Sequence, residues 1–386
     1  MLKLSGGMNV INSGNKKSRL LLLTDNINYP MPLRNKVAYI GNEKHSLEKF
    51  SAIININKKN MGINYNEEQT SVELSKDFSY LRSGDVIRIE PEYKRIRTLF
   101  RKESHNNFIL ITERCNHRCL MCSQPPKNID DSVLMDEALE LIDLLPKDLQ
   151  SLGITGGEPT LYGQRLLELI DKIKTHLPST ALDILSNGRA FSDMNYAFDI
   201  AKINHPDLRI AIPLYSYNPV KHNYVVQAND AFDETIKGII NLKTNNQKVE
   251  IRVVLHKQTI PDLIILAKYI AKNLRFVDHV ALMGLEITGY TRANLNDLWI
   301  DQWEYKDILS EAIEILNDYS IPVSIYNHQL CLINENVYDN YKHSISDWKN
   351  EYLESCNSCT RKKSCGGFFS TQIKYKHSKN ILPFSD

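Results

Sequence analysis

The chain has little of what marks a membrane-spanning or secreted protein. None of its apolar runs reaches the ~18 residues that a bilayer-spanning helix needs, and its mean hydropathy is −0.35. The opening stretch, MLKLSGGMNVINSGNKKSR, lacks the ~7–15-residue apolar core of a secretory signal. These absences make a cytoplasmic location the expectation and give no reason to expect a membrane partner. A dominant sign of charge is missing too. Lys plus Arg is 47 and Asp plus Glu is 46, for a net charge of +1, a balance that argues against a nucleic-acid or polyanion partner. There is no internal repeat and no low-complexity tract. Cysteine is absent from residues 1–114 and 123–330.

The seven cysteines crowd into two places. Cys115, Cys119 and Cys122 form one group; Cys331, Cys356, Cys359 and Cys365 form the other. An odd count in a reducing compartment argues against a disulfide framework. Groups of three and four thiols read better as two metal sites.

Residues 1–104 read as a β-rich N-terminal domain. Arg19–Asp25, Lys36–Ile40 and Ser51–Asn57 are short apolar runs with β-branched content, and Ser83-Gly84-Asp85 is a turn ahead of the alternating Val86–Glu90. The domain is either a small unit packed on the catalytic one or a substrate-docking module. Over residues 105–300 the rhythm becomes strand, loop, helix. Strands are expected at Phe108–Thr112, Ser151–Thr155, Ala181–Ser186, Leu208–Tyr215, Val249–His256 and Val277–Leu285. Helices are expected at Asp136–Leu145, Leu161–His176, Ser192–Ile203, Ala231–Thr244 and Asp262–Asn273. Apolar strands alternating with helices predict an α/β fold, a partial (β/α)6 TIM-like barrel with right-handed crossovers. In such an array the chemistry lies at the C-terminal ends of the strands. Residues 301–386 read as a C-terminal extension with a helix at Trp303–Asn317, a short strand at Ile321–Tyr326 and the four-cysteine region.

The unusual residues fall just after the expected strands. After the first comes ERCNHRCLMC, residues 113–122, with the spacing Cys-x3-Cys-x2-Cys. Three thiolates on one loop can bind three irons of a [4Fe–4S] cluster and leave the fourth open to a ligand. A structural zinc ion would want a fourth protein ligand, for which His117 is the nearby candidate. Gly156-Gly157-Glu158-Pro159 ends the second strand, where glycines let the backbone approach a ligand closely; a plain strand-to-helix turn is the alternative. Ser186-Asn187-Gly188 ends the third strand, Tyr215-Ser216 the fourth, and Arg252 lies on the fifth. An arginine can grip a carboxylate with two donors, or serve as a partly buried structural residue. Glu286 follows the sixth strand.

The cysteine loop after a first strand resembles the signature of the radical S-adenosylmethionine (SAM) superfamily. Met121 stands where an aromatic residue usually precedes the last cysteine; methionine is apolar and polarisable and can cover a cluster in the same way. The resemblance implies that Cys115, Cys119 and Cys122 hold a [4Fe–4S] cluster. It implies that Gly156, Gly157 and Glu158 contact the amino group of SAM, and that Ser186, Asn187, Ser216 and Arg252 hold its ribose and carboxylate. The implied activity is reductive cleavage of SAM to methionine and a 5′-deoxyadenosyl radical that takes a hydrogen atom from an unactivated carbon.

Cys356, Cys359 and Cys365 follow the spacing Cys-x2-Cys-x5-Cys, with Cys331 upstream. Four thiolates suit either a fully ligated second [4Fe–4S] cluster or a zinc ion. The run is similar to part of the SPASM/twitch extensions of peptide-modifying radical SAM enzymes, but the cysteine expected three residues later is replaced by Phe368. More narrowly, Asn107 with FILITERCNHRCLMCSQPPK, then LGITGGEPTLYG, IYNHQLC, SISDWKN and CGGFFS, resemble the His-Xaa-Ser system radical SAM maturases of the HxsC type. This likeness runs from about residue 83 to 386, and the Cys-Ser-Gln-Pro-Pro-Lys run at 122–127 is its most specific part. It implies a ribosomally synthesised peptide or protein with His-Xaa-Ser repeats as substrate, a companion radical SAM protein, a small system partner and an electron donor. Gln124, Pro125 and Pro126 either shape the substrate mouth or seal the cluster as a rigid loop. Two other readings are a radical SAM enzyme acting on a small molecule and a non-catalytic scaffold that binds SAM and an iron–sulfur cluster; the intact cysteine loop and Gly-Gly-Glu run argue against the scaffold.

Overall fold

The computed structural model describes residues 2–41, 49–56, 69–347 and 349–385. Asn57, the last residue of one expected strand, and Trp348 of the SISDWKN stretch lie outside them.

The N-terminal domain contains strands β1 (Ser5–Gly7), β2 (Asn9–Asn12), β3 (Arg19–Thr24), β4 (Val37–Ile40), β5 (Ala52–Ile56), β6 (Thr70–Leu74), β7 (Val86–Glu90) and β8 (Arg95–Phe100). Their order in the sheet is β1-β8-β7-β3-β4-β5-β6-β2. The two end strands are separated in sequence by Met8 alone, so one ribbon pairs with β8 on one side and β6 on the other and closes the sheet on itself. Alternation in β3 sends Leu21 and Leu23 into the enclosed core, where they meet Ile54, Leu74, Phe78 and Ile87. Leu20 points the other way and joins Val86 and Phe100 in the core of the following domain.

That domain is a parallel sheet of seven strands in sequential order: β9 (Phe108–Leu110), β10 (Ser151–Thr155), β11 (Ala181–Leu185), β12 (Leu208–Pro213), β13 (Lys248–Leu255), β14 (His279–Gly284) and β15 (Val323–Tyr326). It is an α/β fold with a nearly closed, barrel-like sheet. Its helices are α1 (Ser132–Ile142), α2 (Gln164–His176), α3 (Met194–Lys202), α4 (Pro219–Val226), α5 (Ala231–Thr244), α6 (Leu263–Asn273), the short α7 (Tyr290–Ala293) and α8 (Leu295–Leu298), and α9 (Gln302–Asp318). In α2 the buried residues are Leu166, Leu167, Leu169, Ile170 and Ile173, a helical stripe facing the sheet. Side chains of Asp193, Asn218 and Asp301 cap the first turns of α3, α4 and α9.

The expectation of six strands needs correction. Val323–Tyr326, read as part of the extension, pairs in parallel with β14 from Val280↔Val323 to Met283↔Tyr326 and is the seventh strand. The helix before it, α9, packs on α6, so the barrel sheet extends past residue 300. The remaining C-terminal segment forms a small hairpin of β16 (Asn350–Glu351) and β17 (Phe368–Phe369), followed by α10 (Ser370–Tyr375). Lys349 pairs with Glu286 at 2.9 Å and Gln372 donates to the Leu285 carbonyl, which fixes this segment to the end of β14. Among the described residues no helix is long and apolar enough to cross a membrane.

Candidate active site

The cysteine loop leaves β9 at the open end of the sheet and is held by backbone bonds on three sides. From the end of β10, Gly157 N–H donates to Thr112 O and Glu158 N–H to Arg114 O, both at 2.8 Å. From α4, the Val225 and Val226 carbonyls accept Leu120 N–H and Arg118 N–H at 3.0 and 3.1 Å. On the α7 side, Tyr290 N–H donates to Cys122 O, Thr291 to Met121 O and Asn294 to Leu120 O. Asp131, at the start of α1, accepts from Thr112 Oγ1, Glu113 N and Tyr162 Oη. A loop whose backbone groups are satisfied this fully is a fixed platform.

Two glycines are required by contact. A Cβ on Gly157 would sit 2.2 Å from Arg114 O and 2.9 Å from Cys115 Cβ. A Cβ on Gly289 would sit 2.3 Å from Cys122 O, and its φ of +52° is left-handed. The Gly-Gly-Glu turn and the turn before α7 therefore clasp the cysteine loop from opposite sides.

All seven cysteines are free thiols. Burial pushes Cys115 up to about 12, and the charges of Glu158 and Cys122 add to this. Burial also raises Cys119 and Cys122, and Cys119 is raised further by the other two cysteines. Three half-buried thiols that resist ionisation together are suited to a cationic centre that would stabilise them as thiolates. Among the described residues, no three His, Cys, Asp or Glu side chains converge closely enough for one metal ion. The ring of His117 is buried with both nitrogens unpartnered, and it does not complete a single-ion site. Three cysteines on one loop form a donor set that fits three irons of a [4Fe–4S] cluster and leaves the fourth open.

Glu158 is buried and engaged by its own chain. Its carboxylate accepts from Thr160 N at 3.0 Å, Thr160 Oγ1 at 2.6 Å, Ser186 Oγ at 2.8 Å and Asn187 N at 2.6 Å. It therefore ties the end of β10 to the turn after β11, in addition to any contact with a ligand. Asn187 continues the link with a bond to Asn116 inside the cysteine loop, and Thr235 of α5 donates to its carbonyl. Cys115, Cys119, Cys122, Gly156, Gly157, Glu158, Ser186 and Asn187 thus form one connected group.

Ser216 and Arg252 approach from the other side. Ser216 is buried, contacts Asp262 at 3.3 Å and caps Asn218 N–H. Arg252 donates from Nε to Glu250 at 2.6 Å. Between them and the cysteines lies Tyr215, whose hydroxyl is raised by burial first and then by Cys119 and Cys122, while Arg252 opposes the rise. Its ring stacks on His222 at 6.0 Å and tilts against His256 at 6.3 Å. Met121 is buried beside Tyr215, Val225 and Leu285. Glu286 is held by Lys349, which makes it an anchor for the C-terminal segment. The Gln124 carbonyl accepts from the Cys122 thiol at 3.0 Å, and Lys127 N–H closes the loop onto Glu113 O at 2.9 Å.

The sequence reading passed over Asn116, Asp131, Glu250 and helix α4. Glu250 carried a signal, since charges at alternate positions of an otherwise apolar buried strand, as in Val249–Leu255, mark an inward polar face.

The second thiol group lines a small open cavity. Cys331, Cys356, Cys359 and Cys365 share its wall with Tyr352, Phe368 and Phe384. N–H groups of Leu330 and Gly367 each lie 3.4 Å from the Cys365 sulfur.

Residues 109–270 match the family described as the radical SAM superfamily. The GTP 3′,8-cyclase of Aquifex aeolicus (strain VF5) is 26% identical over 219 residues, which are 54% of this chain and 62% of the relative. A Campylobacter jejuni subsp. doylei protein of the same name is 28% identical over 262 residues, 64% of this chain and 74% of the relative. The alignment thus spans under two thirds of the Aquifex protein's length. Among solved structures, native anSMEcpe with bound AdoMet superposes with a TM-score of 0.50 at 14% identity, covering 72% of this chain and 92% of the other, a likeness of fold. Residues 109–270, which carry the three-cysteine loop and the Gly-Gly-Glu turn that clasps it, are a radical SAM superfamily domain.

Proposed function

We propose that the chain is a radical SAM enzyme that modifies a ribosomally synthesised peptide or protein of the His-Xaa-Ser repeat type. The three-thiol loop carries the first half of this reading, because Cys115, Cys119 and Cys122 share one loop whose backbone is braced on three sides. When bound there, a reduced [4Fe–4S] cluster would supply the electron that cleaves SAM to methionine and a 5′-deoxyadenosyl radical, which takes a hydrogen atom from substrate. The residues of the chain hold the cysteine loop, present donors and acceptors at the strand ends, and keep Tyr215 and Met121 packed against the site to limit water. The second half rests on the Cys-Ser-Gln-Pro-Pro-Lys run and its companion stretches. A companion radical SAM protein, a small partner and an electron donor belong to the same reading, as does a cytoplasmic setting.

We assign the C-terminal thiols to a second [4Fe–4S] cluster over zinc. Four cysteines share one cavity, as many thiolates as a fully ligated [4Fe–4S] cluster takes. Anaerobic reconstitution, reduction and measurement of 5′-deoxyadenosine tests the activity, and Cys119→Ala should abolish the product. Co-expression with a His-Xaa-Ser repeat protein should give a mass change in that protein. The names of the sequence relatives favour one other reading, a nucleotide-sized substrate such as GTP; conversion of GTP with no change in the repeat protein would select it.

A further inference from the structure

The inner face of the barrel carries a belt of charge below the cysteine loop. Residues two apart on a strand share a face, so Glu250 and Arg252 both point inward from β13, opposite the buried Val249, Ile251 and Val253. Glu250 is 1% exposed and is shared by Arg252, Arg209 and His279. Its Oε1 accepts from Arg252 Nε at 2.6 Å; its Oε2 faces His279 Nδ1 at 2.8 Å and Arg209 Nη1 at 3.3 Å. Arg209 is also gripped by Asp183 through two bonds of 2.7 and 3.0 Å, and His279 Nε2 lies 3.0 Å from Ser324 Oγ.

Within this belt Arg252 is the exception. Arg209 has two carboxylates, whereas Glu250 is the only ion-pair partner of Arg252 among the described residues. The bond uses Nε alone, which leaves both terminal amino groups for another acceptor. Arg252 is also the belt member nearest the strand's C-terminal end, and Val254, the next residue on the same face, packs in one cluster with Met121, Tyr215 and Cys119. A long side chain fixed at Nε by a buried carboxylate presents a planar fork in one orientation.

We propose that Glu250 is a positioning residue that holds the Arg252 guanidinium toward the cysteine site, where its free amino groups take the carboxylate of SAM. The inference rests on the reading of the site as a SAM site and adds a residue that does not itself touch the ligand. Asp183 supplies the control, because it belongs to the same belt but has no contact with Arg252.

The test uses the anaerobically reconstituted protein, with SAM affinity read by equilibrium dialysis and by the change SAM causes in the EPR spectrum of the reduced cluster. Loss of one charge-assisted bond should weaken SAM binding about tenfold in Glu250→Gln, with iron content unchanged. Arg252→Met should weaken it at least as much, and the double variant no more than Arg252→Met alone. Asp183→Asn should stay within about twofold of the parent. Should Glu250→Gln not fold, Glu250→Asp keeps the charge but shortens the reach, and it should show the same loss. Parent-like affinity in the Glu250 variants, with Arg252→Met impaired, overturns the positioning role and leaves the SAM site standing. Parent-like affinity in Arg252→Met overturns the assignment of Arg252 itself. Equal losses in Glu250→Gln and Asp183→Asn make the belt merely structural and also overturn the proposal.

Discussion

Asn187 donates from Nδ2 to Asn116 Oδ1 across 2.6 Å, joining the turn after β11 to the middle of the cysteine loop. The same Asn187 receives the pull of Glu158 on its N–H. Metal loop and strand-end donors are therefore held at one mutual distance. Asn116→Ala should leave iron content unchanged and weaken SAM binding about fivefold, the worth of one hydrogen bond. Dialysis against labelled SAM and an iron assay check both parts.

Gly157→Ala addresses the cysteine loop directly. The added methyl would collide with the backbone at Arg114 and with Cys115 Cβ, and neither can swing away as a flexible side-chain tip would. The loop must shift, so the expected outcome is loss of most of the iron at the first site with a native far-UV circular dichroism spectrum. Retention of full iron would show that the clasp tolerates displacement.

Iron counting separates the two thiol groups. The parent should bind about eight irons per chain, and Cys119→Ala and Cys359→Ala about four each. About four irons and one zinc in the parent would instead assign the C-terminal cavity to zinc.

Buried histidines set a pH dependence of stability. Burial lowers His256 to about 3, helped by the charge of Lys221, and lowers His328 to about 4. In the unfolded chain both would titrate near ~6.5. Between those values the unfolded chain binds more protons, so stability is complete above about 6.5 and falls as the pH drops toward the folded values. Urea midpoints between about pH 7.5 and 5 should decline, and His256→Asn, which keeps an acceptor for Gln258 N–H, should remove about one proton from the slope.

The two domains are joined by Glu137 of α1, which is 7% exposed and receives Arg88 at 2.9 Å and Arg97 at 2.5 Å. Glu137→Ala removes the carboxylate both arginines share and leaves Arg88 with Glu90, at a cost of about 2 kcal/mol. Limited proteolysis should then cut the segment between β8 and β9 faster than in the parent.

Strong local patterns were legible in the sequence. Ser151–Thr155 and Ala231–Thr244 have their predicted bounds, because an apolar run between turn signals and a long amphipathic stretch each satisfy one period. Helix α2 starts at Gln164 and not at Leu161, since Gly163 at φ +50° interrupts the backbone after a 3-10 turn. The strand expected at Ile321–Tyr326 is present as Val323–Tyr326, but its place in the barrel sheet and not in the extension was not legible, because pairing with β14 is a long-range choice that so short a strand does not announce. Helix α4 was missed because its eight residues form no clear apolar stripe; it is held by an Asn218 cap and by packing on the cysteine loop. The grouping of Cys115, Cys119 and Cys122 on the loop after β9 was legible from their spacing and the strand before them. The sharing of Glu250 by Arg209, Arg252 and His279 was not, since these partners come from β12, β13 and β14.

The ribbon Ser5–Asn12 has a consequence for any shortened form of the protein. An ordinary terminal strand can be trimmed at the expense of one seam, but here one segment fastens two. Removing it would bare the rims of β6 and β8 together, two unpaired backbone rows of the kind that recruit other chains. A truncated chain should accordingly be lost to self-association before its cysteine loop is affected.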